Sequence, residues 1–177
     1  MAYNNQVILS SNRLLFRQHI IADMNAYCAM EMDASIRRYV GGSPRTREEA
    51  ERRFIPSLDP VTDRLSMWAT VLKQTGQYIG RCGVYPHFNH QGVPIADEGT
   101  LAFYIASAYW RQGFATEASR AFIRFGFDEL HLKRIVATVQ AGNDASSHIL
   151  KKLGFEWVST EEGHRTFYHL ELKNPVT

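Results

Sequence analysis

The residues best placed for chemistry form the run Tyr109-Trp110-Arg111-Gln112-Gly113-Phe114-Ala115-Thr116-Glu117-Ala118, between a β-rich stretch and a long helical pattern. A small-residue loop entering a helix leaves backbone N–H groups unpaired at the positive end of the helix dipole, and such an end receives phosphate. Gly113 and Ala115 would let a pyrophosphate approach the main chain. A plain tight turn into a helix explains the same letters, and on the loop alone that reading is favoured because short motifs match by chance. The chain has no G-x-x-x-x-G-K-[ST] and no G-x-G-x-x-G after a strand, which excludes the two common nucleotide loops. A second group follows downstream, Asn143-Asp144-Ala145-Ser146 and then Lys151-Lys152-Leu153-Gly154-Phe155, where Asn143 suits a helix N-cap and Gly154 a left-handed stop.

The elements that must position these residues are readable from periodicity. Residues 13–20 read as a first strand, and Asp23 suits the start of a helix through Met32. Thr46 followed by Glu49 is a capping-box pattern opening a second helix toward Phe54 and Ile55, ended by Pro56 and Pro60. Residues 67–73 and 78–85 form an antiparallel hairpin around Gln74-Thr75-Gly76-Gln77, and residues 86–97 a longer polar connection. Residues 100–105 give a fourth strand. The helix over 113–130 buries Phe114, Ala118, Ala121, Phe122 and Phe125, leaving Glu117, Arg120, Arg124 and Asp128 on a solvated, ion-paired face. Residues 134–140 form a central fifth strand, read as buried on both faces from Ile135, Val136, Ala137 and Val139. A short helix to Leu153 and strands over 156–160 and 165–172 complete the order β-α-α-β-β-β-α-β-α-β-β. The fold class is α/β (α+β), a mixed, mostly antiparallel sheet with helices on both faces.

Bulk composition narrows the function. A chain of 177 residues, 45% hydrophobic and 21% charged, fits one globular domain over 1–177. The net charge of +2, from scattered basic residues, is no footprint for nucleic acid. No stretch approaches the roughly 20 apolar residues of a membrane span, so the protein is expected to be soluble and cytoplasmic. Cys28 and Cys82 lack metal spacing and read as buried, inert thiols. His87, His90, His164 and His169 fall on loops or a late strand and read as structural or acceptor-lining groups, with no metal expected.

Taken together, the loop over 110–115 with Thr116-Glu117-Ala118, the Asn-x-x-Ser at Asn143 and Ser146, and the Lys-Leu-Gly-Phe ending resemble the GNAT superfamily of N-acetyltransferases. Arg13-Leu14-Leu15-Phe16-Arg17 with Asp23 resembles the opening of its ribosomal-protein branch, and the element order agrees across residues 13–172. The resemblance implies acetyl-CoA as co-substrate. Its pantetheine arm would lie between splayed fourth and fifth strands and pair with backbone near Phe103, Tyr104 and Ile105. Its pyrophosphate would sit on Arg111, Gln112, Gly113, Phe114, Ala115 and Thr116. Asn143 would bond the pantetheine region, and Ser146 would lie near the sulfur. Relatives often have Gln or Arg where Trp110 stands, so recognition there leans on N–H groups.

Two departures from the family pattern bear on catalysis. Many members carry a proton-donating Tyr on the helix where this chain has Leu150, and Ser146 is the substitute acid for the departing thiolate. Relatives of the ribosomal-protein type commonly have Glu at the position of Thr100, whereas this chain has Glu98 two residues earlier, on the same face by strand alternation. Glu98, through a water if needed, is therefore the expected base for an amine that must lose a proton before attack. Transfer is expected to be direct, since neither cysteine falls in the motifs. The acceptor is a primary amine: a protein N-terminus, a polyamine or an amino-bearing small molecule. It would be lined by residues 35–44, 86–97 and the final hairpin. A homodimer through the late strands is compatible with the pattern. An acyl-CoA-binding or regulatory domain that lost turnover is the alternative, and an interaction module built on the loop at Phe88 is a third class that leaves both motifs unexplained.

Overall fold

The computed structural model describes residues 7–59 and 64–175. An eight-stranded sheet in the order β1-β2-β3-β4-β5-β6-β8-β7 organises the chain. Its first strands are β1 (Val7–Ser10) and β2 (Leu14–Arg17), followed by α1 (Met24–Met32), α2 (Ala34–Arg37) and α3 (Arg47–Phe54). Next come β3 (Ser66–Leu72), β4 (Tyr78–Phe88), β5 (Pro94–Ile105), α4 (Phe114–Arg124), β6 (Arg134–Gln140), α5 (Asp144–Lys152), β7 (Glu156–Glu161) and β8 (Phe167–Lys173). The mixed, antiparallel-dominated sheet and its helices agree with the class expected from the sequence, with β1 and the short α2 added.

Strand alternation sends side chains into two cores. On one face Leu14, Phe16, Ile79 and Ile135 pack with Phe114, Ala118 and Phe122 of α4. On the other, Ala69, Val71 and Tyr78 pack with Tyr27, Cys28 and Phe54 of α1 and α3. Phe16 and Phe122 meet edge-on at 4.8 Å, and each is almost wholly buried, worth about 2–3 kcal/mol of transfer free energy apiece. Thr46 and Glu49 close the capping box at α3, the Thr46 side chain accepting from the Glu49 N–H at 3.2 Å.

Asp23 stands at the N-cap of α1, where the helix was expected to start, and α1 runs to Met32, though the Asp23 side chain makes no cap bond. Its carboxylate accepts both Nη groups of Arg17 at 2.6 and 2.8 Å and the Ile20 N–H at 3.0 Å, in a buried pair. α3 ends at Phe54, ahead of Pro56 as expected, and a 3₁₀ turn over Ile55–Leu58 follows, while Pro60 lies outside the described residues. Two local expectations are corrected. Residues 86–97 are mostly strand. β4 and β5 continue as a long hairpin whose tip is closed by Asn89 Oδ1, which accepts the Gln91 and Val93 N–H groups at 2.9 and 3.0 Å. Pro86 is tolerated because the register shifts between it and Phe88. β6 is buried on one face only, with Ile135, Ala137 and Val139 inside while Thr138 is exposed.

One irregularity opens the sheet. β5 and β6 are the parallel neighbours, paired only at Glu98↔Arg134, Gly99↔Ile135 and Thr100↔Val136. Gly99 permits the close approach there, since a Cβ would sit 2.3 Å from Val84 Cγ1 and 2.9 Å from Leu132 Cδ1. Beyond Thr100, β5 follows β4 while β6 follows β8, and the two strands part.

Candidate active site

The gap between the parted strands is a cleft of about 280 Å³. Its walls are Thr100 through Tyr104 of β5 and Ala137 through Gln140 of β6, with Asn143, Ser146 and Leu150 of the α5 region and Tyr39, Val40 and Gly41 after α2. Phe103, Tyr104, Asn143 and Ser146, all anticipated as cofactor-contacting, are thus brought together. Ile105 is not on the cleft wall. Its carbonyl accepts the Trp110 indole N–H at 2.6 Å, which ties the end of β5 to the following loop.

That loop enters α4 through Gly113, whose φ of +81° is left-handed, with Arg111 also at φ +60°. No side chain caps the helix. Among the described residues the N–H groups of Arg111, Gln112, Gly113, Phe114 and Ala115 have no hydrogen-bond acceptor. Five donors facing no partner at a helix N-terminus are the physical requirement for an anion site. Thr116 sits one position further into the helix.

The loop is braced from outside. Arg13 donates to the Gln112 carbonyl at 3.1 Å, stacks 4.2 Å over the Phe114 ring, and bonds Glu117 through Nε and its own backbone N–H, both at 2.7 Å. Ser11 Oγ adds a further bond to Glu117 at 2.7 Å. Glu117 therefore cross-links α4 to the β1–β2 turn, a correction to the solvated face expected for it. Burial alone would raise the Glu117 pKa, but the Arg13 N–H, the Ser11 hydroxyl and the Arg13 guanidinium outweigh it and hold the carboxyl below its usual range. Glu117 therefore stays ionised, and the paired Arg13 guanidinium offsets its charge beside the anion site.

Asn143 caps α5, its Oδ1 accepting the Ser146 N–H at 3.2 Å. The amide nitrogen of the same side chain is left over to donate into the cleft. Ser146 is half-buried, and its hydroxyl has no partner among the described residues. Leu150 is buried on the cleft wall, so α5 offers no phenol at that position. Gly154 ends the helix at φ +92°.

Glu98 is outside the cleft lining and already engaged. Its Oε2 accepts from Arg134 Nη2 at 2.7 Å and lies 4.0 Å from His87 Nε2, while His87 Nδ1 is 3.2 Å from Thr100 Oγ1. Alternation does place Glu98 and Thr100 on one face, with His87 bridging from β4. Burial, against the opposing pull of Glu98, lowers the His87 pKa from its ordinary value, so the imidazole is neutral near pH 7. Beside it, Arg134 also binds Glu171 at 3.0 Å, and His169 links Thr138 (3.3 Å) to Glu161 (3.1 Å). Cys28 and Cys82 are fully buried, and burial pushes both thiols up. Among the described residues no group of three His, Cys, Asp or Glu side chains is arranged to hold a metal.

Comparison with known proteins decides the family. The model of the acetyltransferase (GNAT) domain matches residues 13–156. The chain belongs to the GNAT acetyltransferase family. It is an acetyltransferase, and acetyl-CoA is the family's typical acetyl donor. A Bacillus licheniformis protein described as uncharacterized N-acetyltransferase p20 is 26% identical over 84% of this chain and 82% of its own length. Bacillus subtilis YkkB, an uncharacterized protein, is 30% identical over a match that spans about half of each chain (54% and 54%). The solved structure of Vibrio cholerae spermidine N-acetyltransferase with CoA and spermine has the same fold, with TM-score 0.74, 16% identity, and 92% and 96% of the two chains covered. In this GNAT domain the sequence did not single out Tyr85 as site-facing, marked His87 only as a structural or acceptor-lining group, and took in Tyr39 only as part of a broad loop. The alternation Tyr85, His87 against Glu98, Thr100 was the signal available for the first two.

Proposed function

We propose that this GNAT protein transfers the acetyl group of acetyl-CoA directly to a primary amine in a ternary complex. The observation that carries the reading is the parting of β5 and β6 after three paired positions, with five unpartnered N–H groups at the loop next to its end. An extended, amide-bearing arm suits the free strand edges of the cleft, and a pyrophosphate suits the donors of residues 111–115. Asn143 would orient the arm by its free amide, and Thr116 would supply a hydroxyl beside the phosphates.

In the transfer step the neutral amine attacks the thioester carbonyl, a C–N bond forms and the C–S bond breaks. The amine's proton goes to Glu98, relayed by His87 and, if needed, water. His87 is bonded to Thr100 through Nδ1, and its Nε2 stands 4.0 Å from Glu98, a gap that a water or a small side-chain rotation closes for the relay. Ser146, with an uncommitted hydroxyl on the cleft wall, gives a proton to the departing thiolate. Leu150 is the observation that favours the second reading, a catalytically weak acyl-CoA-binding domain, because it removes the phenolic acid from α5. The acceptor classes are a protein N-terminus, in keeping with the ribosomal-protein branch, a polyamine, or an amino-bearing small molecule. We place the protein in the cytoplasm as one domain; no described helix is long and apolar enough to cross a membrane. Titration calorimetry with acetyl-CoA tests the site: saturable heat is expected, with ATP and NAD giving far less, and equal heats from all three would remove the assignment.

A further inference from the structure

We propose that the acceptor carries a carboxylate at the end remote from its amine, and that Arg53 and Arg81 receive that carboxylate in a pocket adjoining the transfer cleft. The proposal rests on the transferase reading and names its substrate class. The pocket, about 390 Å³, shares Tyr85, Ala102 and Tyr104 with the cleft, so a molecule lying in it reaches the place where β5 and β6 part. Among the described residues its lining contains two arginines and no Asp or Glu.

The charge around this pocket is uneven in a way folding does not require. Glu31 is bonded by three guanidinium groups, Arg81 at 2.6 Å, Arg45 at 2.7 Å and Arg37 at 3.3 Å. That cluster is left two positive charges in excess. Arg53, exposed on α3 at the pocket rim, makes no ion pair among the described residues. Arg81 is held in place between the rings of Tyr27 (4.6 Å) and Tyr104 (4.8 Å), with its side chain 18% exposed. A fixed, partly desolvated guanidinium favours an anion more than a flexible surface one does. His19 lines the same pocket, only 5% exposed, with no partner for Nε2, and burial keeps it uncharged.

At the far end of the same sheet face carboxylates are in the majority. Glu98, Glu171 and Glu161 stand there with Arg134, Lys173 and His169, three carboxylates to two fixed cations among the described residues. An acceptor with an amine at one end and a carboxylate at the other meets both ends with complementary charge, its amine toward Glu98 and His87. A polycation such as spermidine would set a positive charge against Arg53 and Arg81, which is repulsive.

The test is steady-state turnover, followed by CoA thiol release, of ω-amino acids of increasing length against their carboxamides and spermidine. The wild type should turn over its best acid about tenfold or more faster, in kcat/KM, than the matching carboxamide. In Arg53→Glu, a substitution on an exposed helical position, the acid-to-carboxamide ratio should fall to about one or below, while Arg53→Lys keeps most of it. Calorimetry with acetyl-CoA, run on each variant, confirms a folded cofactor site. No acid faster than its carboxamide, spermidine as the better acceptor, or an unchanged ratio in Arg53→Glu would overturn the proposal. If acetyl-CoA does not bind the wild type, the transferase reading itself falls, and that outcome is distinct from a carboxamide preference with acetyl-CoA bound.

Discussion

Substituting Gly113 with Val separates a phosphate cradle from a simple turn. The residue occupies a left-handed φ of +81° at the N-cap of α4, where a Cβ costs roughly 1–2 kcal/mol of backbone strain. Space is not the obstacle, because the nearest atom to an added Cβ is Arg13 Nη2 at an ordinary 3.5 Å. For a chain of this size that strain lowers Tm by about 2–8 °C, so the variant should remain folded at 25 °C. Relief of the strain rotates the peptide units on either side of residue 113 and takes their N–H groups out of line. Losing one or two charge-assisted bonds should weaken acetyl-CoA by about tenfold to several hundredfold. Isothermal titration, corrected for the folded fraction by circular dichroism, gives both numbers. Arg111→Ala, which leaves the donors in place, should weaken binding only mildly and in a salt-dependent way. A folded Gly113→Val protein with wild-type affinity would refute the cradle.

Three further outcomes follow from the geometry. Glu98→Gln retains an oxygen for Arg134 but removes proton acceptance, so kcat should fall by roughly 10²-fold with acetyl-CoA affinity kept and the acidic limb of the pH–rate profile altered; an unchanged profile excludes Glu98. His19 has a folded pKa of about 4 against 6.5 free, so between those values the unfolded chain binds the proton and the folded one does not. Stability should therefore fall as pH drops through that window, by of order 3 kcal/mol, and denaturant titrations of His19→Gln should lack that part of the slope. Native protein treated with iodoacetamide should keep its transferase activity, because Cys28 and Cys82 are fully buried; rapid inactivation would reopen a thiol mechanism.

The sequence was most legible where a local rule acts alone. The capping box at Thr46 and Glu49, the Asn143 cap, the Gly154 stop and the apolar stripe of α4 each follow from spacing within one element, and each is present. Long-range ion pairing was not legible. Glu117 satisfies helix spacing on a solvated face, yet a contact with Arg13, distant in the chain, takes it. Asp23 stands at the helix start as its type suggested, but its buried pairing with Arg17 was likewise not readable from helix spacing. In the site, Phe103, Tyr104, Asn143 and Ser146 converge where the family resemblance implied. Glu98 stands to the side, reachable through His87, a residue read as part of the polar connection over 86–97. The Glu31 hub was invisible, since its three arginines come from α2, the following loop and β4.

The most direct test of acetyl transfer to an amine is the stoichiometry of CoA release against acetylated amine, measured by thiol titration and mass spectrometry in one reaction with acetyl-CoA and a mixture of primary amines. The account predicts amine-dependent thiol release matched one-to-one by an N-acetylated product, with no acetyl group on the protein. Thiol release that ignores the amine, or an acetylated enzyme accumulating before product, would contradict it.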